Sequence, residues 1–136
     1  MKFLVDANVL SEPTRAAPNE RVLAWLRDQE RELAIDPVIL GELRYGILLL
    51  PAGRRRTRLR HWFDAGIRQI HCLPWDADVG LRWADLLARL RRSGKPMPVK
   101  DSLIAATALT HGLTVVSRNT SDFDKAGVAV FDPFES

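Results

Sequence analysis

An apolar run that stops on a carboxylate opens the chain, with Phe3, Leu4 and Val5 followed directly by Asp6. Because no polar residue interrupts the run, it predicts a strand buried on both faces of a parallel sheet. Asp6 then lies at the carboxyl end of that strand. The ligand crevice of an open α/β sheet lies outside such ends, so Asp6 is either the N-cap of the next element or a functional group.

Short apolar runs alternate with helical patterns through the rest of the chain. Further strands are predicted at Leu33–Ile35, Ile70–Leu73, Leu113–Ser117 and Val128–Val130. Helices are predicted to begin near Asn19, Asp36, Arg54, Asp76 and Asp101, with polar loops at 11–18 and 118–122. This alternation predicts an α/β protein with three α/β/α layers and a central, mostly parallel sheet. Since no interdomain linker or repeat interrupts it, residues 1–136 are predicted to form a single domain.

The composition excludes several classes of protein. Cys72 is the single cysteine, so the chain has neither an internal disulfide nor a cysteine zinc cluster, which fits a reducing compartment. No apolar run approaches the roughly 20 residues of a membrane span. We therefore expect a cytoplasmic protein with no membrane partner.

The basic residues are concentrated in two places, although the formal net charge is only +3. Five arginines fall within the seven residues from Arg54 to Arg60, and a second basic cluster lies between Arg89 and Lys100. Such clusters favour a polyanionic partner, for which nucleic acid is the obvious candidate. A solvated helix face is the structural alternative.

Four acidic residues follow strands or lie on the predicted helices, namely Asp6, Glu42, Asp101 and Asp122. If the sheet is parallel, Asp6 and Asp122 lie at the same edge, and the four carboxylates can converge. Crowded carboxylates repel one another unless a cation lies among them, and oxygen ligands alone select hard ions such as Mg²⁺ or Mn²⁺. Such an ion activates water for phosphodiester hydrolysis. Each acid also has a structural alternative, as a cap, a turn residue or an exposed helix residue.

Four sequence motifs together resemble the PIN-domain family, and within it the VapC-type ribonuclease toxins, including the FitB-like members. The motifs are Leu4-Val5-Asp6-Ala7-Asn8-Val9-Leu10-Ser11-Glu12, Val38-Ile39-Leu40-Gly41-Glu42-Leu43-Arg44-Tyr45-Gly46, Asp101-Ser102-Leu103-Ile104-Ala105-Ala106-Thr107-Ala108, and Val115-Val116-Ser117-Arg118-Asn119 followed by Asp122-Phe123. Their order and spacing cover nearly the whole chain. The sequence departs little from the family pattern: Ser117 stands where threonine is common, which keeps the hydroxyl.

The resemblance implies a PIN-like fold and a Mg²⁺- or Mn²⁺-dependent endoribonuclease, the toxin of a type II toxin–antitoxin pair. It implies that Asp6, Glu42, Asp101 and Asp122 are the catalytic and metal-binding residues, supported by the polar residues Asn8, Ser117 and Asn119. It also implies homodimers and a cognate antitoxin, which would form a hetero-oligomer with the toxin. The basic residues expected to bind RNA or the antitoxin are Arg54, Arg55, Arg56, Arg58, Arg92 and Lys95.

Two other functions are compatible with parts of the sequence. An apolar strand ending in Asp-x-Asp opens the haloacid-dehalogenase-like phosphatases, but here Asn8 occupies the place of the second acid and cannot act as a general acid. A non-catalytic module that binds RNA or a protein partner is the other alternative, in which the acids only cap helices. Such a module would show no Mg²⁺-linked change in stability.

Overall fold

The computed structural model describes residues 1–135, in which five short strands form one parallel sheet. The strands are β1 (Phe3–Val5), β2 (Leu33–Ile35), β3 (His71–Cys72), β4 (Thr114–Val116) and β5 (Val130–Phe131). Their order across the sheet is β3-β2-β1-β4-β5, and every neighbouring pair is parallel. The predicted α/β class is confirmed, and the sheet is entirely rather than mostly parallel.

Seven α-helices connect these strands within residues 1–135. They are α1 (Ala7–Leu10), α2 (Glu20–Asp28), α3 (Pro37–Leu48), α4 (Arg54–Ala65), α5 (Ala77–Ser93), α6 (Val99–His111) and α7 (Thr120–Lys125). Because the strand order runs outward from β1 in both directions, right-handed crossovers place helices on both faces of the sheet. None of these helices has the length and apolar character needed to cross a membrane.

The central strand β1 determines where the polar residues at the sheet edge meet. Leu4 and Val5 are completely buried, as the unbroken apolar run predicts. Val5 is in register with Val116 of β4, and the Asp6 backbone N–H donates to the Val116 carbonyl at 2.9 Å. The residues that follow these two strands, Asp6 and Ser117, are therefore neighbours.

Capping signals in the sequence fix several helix ends. The carboxylates of Asp36 and Asp76 accept hydrogen bonds from the backbone N–H groups of Ile39 and Val79, at 2.9 and 3.2 Å. Gly94 ends α5 in the left-handed conformation, with a φ of +67°. The predicted ends of these helices are confirmed.

The start of α6 is anchored to the preceding segment by two tryptophans. The Trp83 indole N–H donates to the Ser102 hydroxyl at 3.0 Å, and that of Trp75 donates to the Leu103 carbonyl at 3.3 Å. The two indole rings meet edge to face, with centroids 5.9 Å apart. These contacts hold the residues directly after Asp101.

The two predicted polar loops each contain helical structure. The predicted loop at 11–18 contains a 3₁₀ turn at Glu12–Thr14, shortly after the four-residue helix α1, and Asp122 of the second predicted loop lies in the six-residue helix α7. Helices this short do not complete the apolar period from which a helix is recognised. The strands also differ slightly in their bounds, since β3 covers only His71–Cys72 and β5 begins at Val130.

Candidate active site

Asp6 is both a capping residue and a buried carboxylate facing the edge of the sheet. Asp6 directly follows β1 and is only 2% exposed. Its Oδ1 atom accepts a hydrogen bond from the Ala7 backbone N–H at 2.8 Å. Burial raises the pKa of Asp6 from an ordinary 3.8 to about 6, and the negative charges of Glu42 and Asp101 add to that increase. A hydrogen bond from Ser117 acts in the opposite direction.

The hydroxyl of Ser117 is the centre of a small network around Asp6. Ser117 Oγ donates to Asp6 Oδ2 at 2.8 Å, and it accepts from Asn8 Nδ2 at 3.2 Å and from the Asn119 backbone N–H at 3.0 Å. The Asn8 carbonyl oxygen in turn accepts from the Arg118 backbone N–H at 3.2 Å. Since a hydroxyl has one proton and two lone pairs, the bonding capacity of Ser117 is filled and the Asp6 side chain is fixed in place.

Asp101 lies in the first turn of α6 and is 3% exposed. Its Oδ1 atom is buried and receives no hydrogen bond from residues 1–135. Burial raises the pKa of Asp101, Lys100 lowers it, and the charges of Asp122 and Glu42 raise it further. A buried carboxylate oxygen without a donor is costly unless a cation or another ligand reaches it.

Glu42 and Asp122 are less deeply buried, and each is paired with a lysine. The Lys100 ammonium donates to Glu42 Oε2, where the Glu42 side chain on α3 is 25% exposed. The Lys125 ammonium lies 3.4 Å from Asp122 Oδ1 within α7 and also donates to the Pro96 carbonyl at 3.1 Å. Each of these two acids is therefore neutralised by a lysine, and the sequence does not predict either pairing.

The structure brings the four predicted acids into one electrostatic neighbourhood at the carboxyl edge of the sheet. The charges of Glu42 and Asp101 act on Asp6, and those of Asp122 and Glu42 act on Asp101. In the described part of the chain, no three carboxylate, imidazole or thiol groups stand close enough to form a ready-made metal cluster. A hard divalent cation is nevertheless compatible with the site, because Asp101 Oδ1 receives no hydrogen bond from residues 1–135 and all the acidic side chains offer oxygen ligands.

The supporting polar residues and the arginines are placed in different ways. Asn119 is exposed, and its backbone rather than its side chain reaches Ser117. A cleft of about 420 Å³ between α1, α3 and α4 is lined by Asn8, Glu42 and Arg55, among other residues. Arg58 lines an adjoining cleft of similar volume together with Arg55. Neither cleft, as the described residues define them, includes the remaining predicted basic contacts, Arg54, Arg56, Arg92 and Lys95.

The sequence pattern does not predict the pairings of the two lysines. The sequence pattern places Lys100 in a basic cluster and predicts no role for Lys125. A local signal exists for Lys125, since it lies three residues after Asp122 on the same helix. The contact between Lys100 and Glu42 joins residues 58 positions apart, so it depends on the tertiary fold.

Comparisons with known proteins cover almost the whole chain. Residues 3–129 match the family model of the PIN domain. The chain is 38% identical to VapC ribonuclease Y4jK of Sinorhizobium fredii, with 98% of each chain covered. It is also 38% identical to Toxin FitB of Neisseria gonorrhoeae, with 97% of this chain and 98% of FitB covered. The crystal structure of FitAcB from Neisseria gonorrhoeae superposes with a TM-score of 0.93 at 37% identity, covering 98% of this chain and 99% of that one.

Proposed function

The chain belongs to the PIN-domain family, and on that premise we propose that it is a divalent-metal-dependent endoribonuclease and the toxin of a toxin–antitoxin pair. The observation that carries the metal-dependent activity is the buried Oδ1 atom of Asp101, which lies among three further acids and receives no hydrogen bond from residues 1–135. A divalent cation would supply the missing partner and neutralise the crowded carboxylates. The relatives named VapC ribonuclease and FitB toxin support the choice of RNA and the toxin role.

In the proposed mechanism, Asp6, Asp101 and Glu42 would hold Mg²⁺ or Mn²⁺ directly or through water, and Asp122 would complete the cluster. When bound, the ion lowers the pKa of water and offsets the negative charge on the scissile phosphate. Ser117 fixes the orientation of the Asp6 carboxylate through its 2.8 Å hydrogen bond.

Other residues position Asp101 and the substrate. The bonds from Trp75 and Trp83 hold the first turn of α6, and with it Asp101. Arg55 lines the same cleft as Glu42, where its guanidinium group would bind an RNA phosphate. Asn8 carries no proton that it can transfer, which argues against a phosphatase mechanism with a general acid at this position.

We further propose that the protein forms homodimers and binds a cognate antitoxin. Exposed apolar side chains at the C-terminal end of α3 support a protein interface, because Tyr45, Leu48 and the C-cap residue Leu49 are 64%, 46% and 66% exposed. FitB, which matches this chain over nearly its whole length, is named a toxin, and that name supports a toxin role for the present chain. The antitoxin would restrain the nuclease by covering the cleft that Glu42 and Arg55 line.

The proposed activity is tested with purified protein, a mixed pool of end-labelled RNA, and either Mg²⁺ or EDTA. We expect cleavage with Mg²⁺ and none with EDTA. The Asp101→Asn variant should lose more activity than the roughly 10- to 100-fold typical of changes in outer-shell residues. The matched control is Asp124→Asn, which removes an exposed carboxylate of α7 and should cleave normally. The proposal would be refuted if the Asp101→Asn variant cleaved RNA as fast as the unmodified protein, or if cleavage were undiminished in EDTA.

A further inference from the structure

Lys100 is a cation placed directly among the acids of the candidate active site. It lies in the first turn of α6, immediately before Asp101, and its ammonium group donates to Glu42 of α3. The charges of Asp101 and Asp6 also act on this ammonium group. A single lysine therefore interacts with three of the four acids.

Apart from the attraction of these acids, the helix dipole and side-chain entropy disfavour the observed position of the Lys100 ammonium group. The first turn of an α-helix carries a partial positive charge, which disfavours a cation there. Half of the Lys100 side chain is exposed, so the ammonium group could be hydrated by solvent instead of pairing with Glu42. Directing it towards Glu42 restricts a flexible side chain, which costs conformational entropy. The charge of the acid site is the compensating attraction.

Lys125, the other lysine near an acid, is held differently. Its ammonium group donates to the Pro96 carbonyl as well as to Asp122, and both residues of the pair lie on α7. In residues 1–135, the hydrogen-bond partner of the Lys100 ammonium is Glu42, on another helix. Within residues 1–135, Lys100 is thus held by its hydrogen-bonded ion pair with Glu42 and can leave without breaking a hydrogen bond to the backbone.

We propose that Lys100 is a resident counter-ion of the acid site, and that a divalent cation must displace its ammonium group from Glu42 in order to bind. The inference rests on the proposed metal site and adds a competitor for it. Lys100 would stabilise the metal-free protein by neutralising the acids, and it would weaken metal binding for the same reason.

The charge balance gives the direction and size of the effect. A lysine ion pair at a partly exposed site contributes modestly, and a dication close to an ammonium group is repelled. Replacing Lys100 with methionine keeps an unbranched side chain of similar length and removes both effects, so Mg²⁺ should bind about tenfold more tightly. Lys100→Arg keeps the positive charge and should bind Mg²⁺ about as weakly as the unmodified protein.

The test measures Mg²⁺ dissociation constants by isothermal titration calorimetry, and thermal unfolding in EDTA, without reference to RNA cleavage. Lys2→Met is the matched control, because Lys2 is exposed and lies at the opposite end of β1 from Asp6. We expect Lys100→Met to bind Mg²⁺ more tightly and to unfold at a lower temperature in EDTA, with Lys2→Met unchanged in both measurements. Asp101→Asn should abolish the Mg²⁺ signal and thereby locate it.

The outcomes separate this inference from the proposed function. If Asp101→Asn abolishes Mg²⁺ binding but Lys100→Met binds Mg²⁺ no more tightly than the unmodified protein, Lys100 is not a competitor, although the metal site stands. An equal gain in the Lys2→Met control would also overturn the inference, because net charge alone would then explain it. If no variant binds Mg²⁺, both the metal site and its counter-ion are wrong.

Discussion

Neutralising Asp6 should stabilise the metal-free protein while destroying the proposed metal site. Asp6 is 2% exposed, and burial raises its pKa from 3.8 to about 6. Between these two values the native state keeps a proton that the unfolded chain has lost. Stability therefore falls as the pH rises from 3.8 to 6, and the penalty is complete above that range. Asp6→Asn removes the ionisation and with it this loss.

The size of the effect follows from the difference between the two pKa values. About two pKa units at 1.36 kcal/mol each correspond to a penalty of roughly 3 kcal/mol at pH 7.5. An asparagine can still accept from the Ala7 N–H, but its amide nitrogen cannot accept the hydrogen bond from Ser117, which costs about 1 kcal/mol. The net expectation for Asp6→Asn in EDTA is a gain of about 1–2 kcal/mol at pH 7.5, and a small loss at pH 4.

Urea denaturation in EDTA at several pH values between 4 and 8 measures this difference. Asp124→Asn, at an exposed position of α7, is the control and should follow the unmodified protein at every pH. The reasoning is refuted if Asp6→Asn is less stable than the unmodified protein at pH 7.5. A stability difference that does not vary with pH would refute it equally, because ionisation of Asp6 would then contribute nothing.

Two further variants test how the acids are positioned. Ser117→Ala removes the hydrogen bond that lowers the pKa of Asp6, so NMR titration in EDTA should place that pKa above the value of about 6 in the unmodified protein, and an unchanged pKa would contradict the network. Arg89 donates to the Ala126 carbonyl at 2.5 Å and to the Lys125 carbonyl at 3.4 Å, at the C-terminal end of the helix that carries Asp122. Arg89→Met should lower the free energy of unfolding by about 1–2 kcal/mol and weaken Mg²⁺ binding, and unchanged values for both would contradict this role.

Local sequence signals were sufficient for most of the fold. The apolar run before Asp6 predicted the buried strand β1, because a strand covered on both faces has no polar side. Asp36 and Gly94 marked helix ends, since capping depends only on neighbouring residues. The position of Asp6 at a strand end and of Asp101 in the first turn of a helix followed from the same signals.

The remaining features depend on contacts between distant parts of the chain. Ser117 reaches Asp6 across 111 residues, and Lys100 reaches Glu42 across 58. A pattern of residue types cannot show which lysine will face which acid, because partner choice follows from packing of the elements. The depth of burial that raises the pKa of Asp6 is also a property of the folded chain, although the apolar run made burial itself predictable.

The central claim is that these acids hold a divalent cation. An anomalous difference map from crystals soaked in Mn²⁺ tests it most directly. The account predicts a strong anomalous peak beside Oδ1 of Asp101, within ligand distance of the Asp6 carboxylate, and no peak there in crystals of Asp101→Asn. A site that remains empty at saturating Mn²⁺, or a peak that persists in Asp101→Asn, would contradict it.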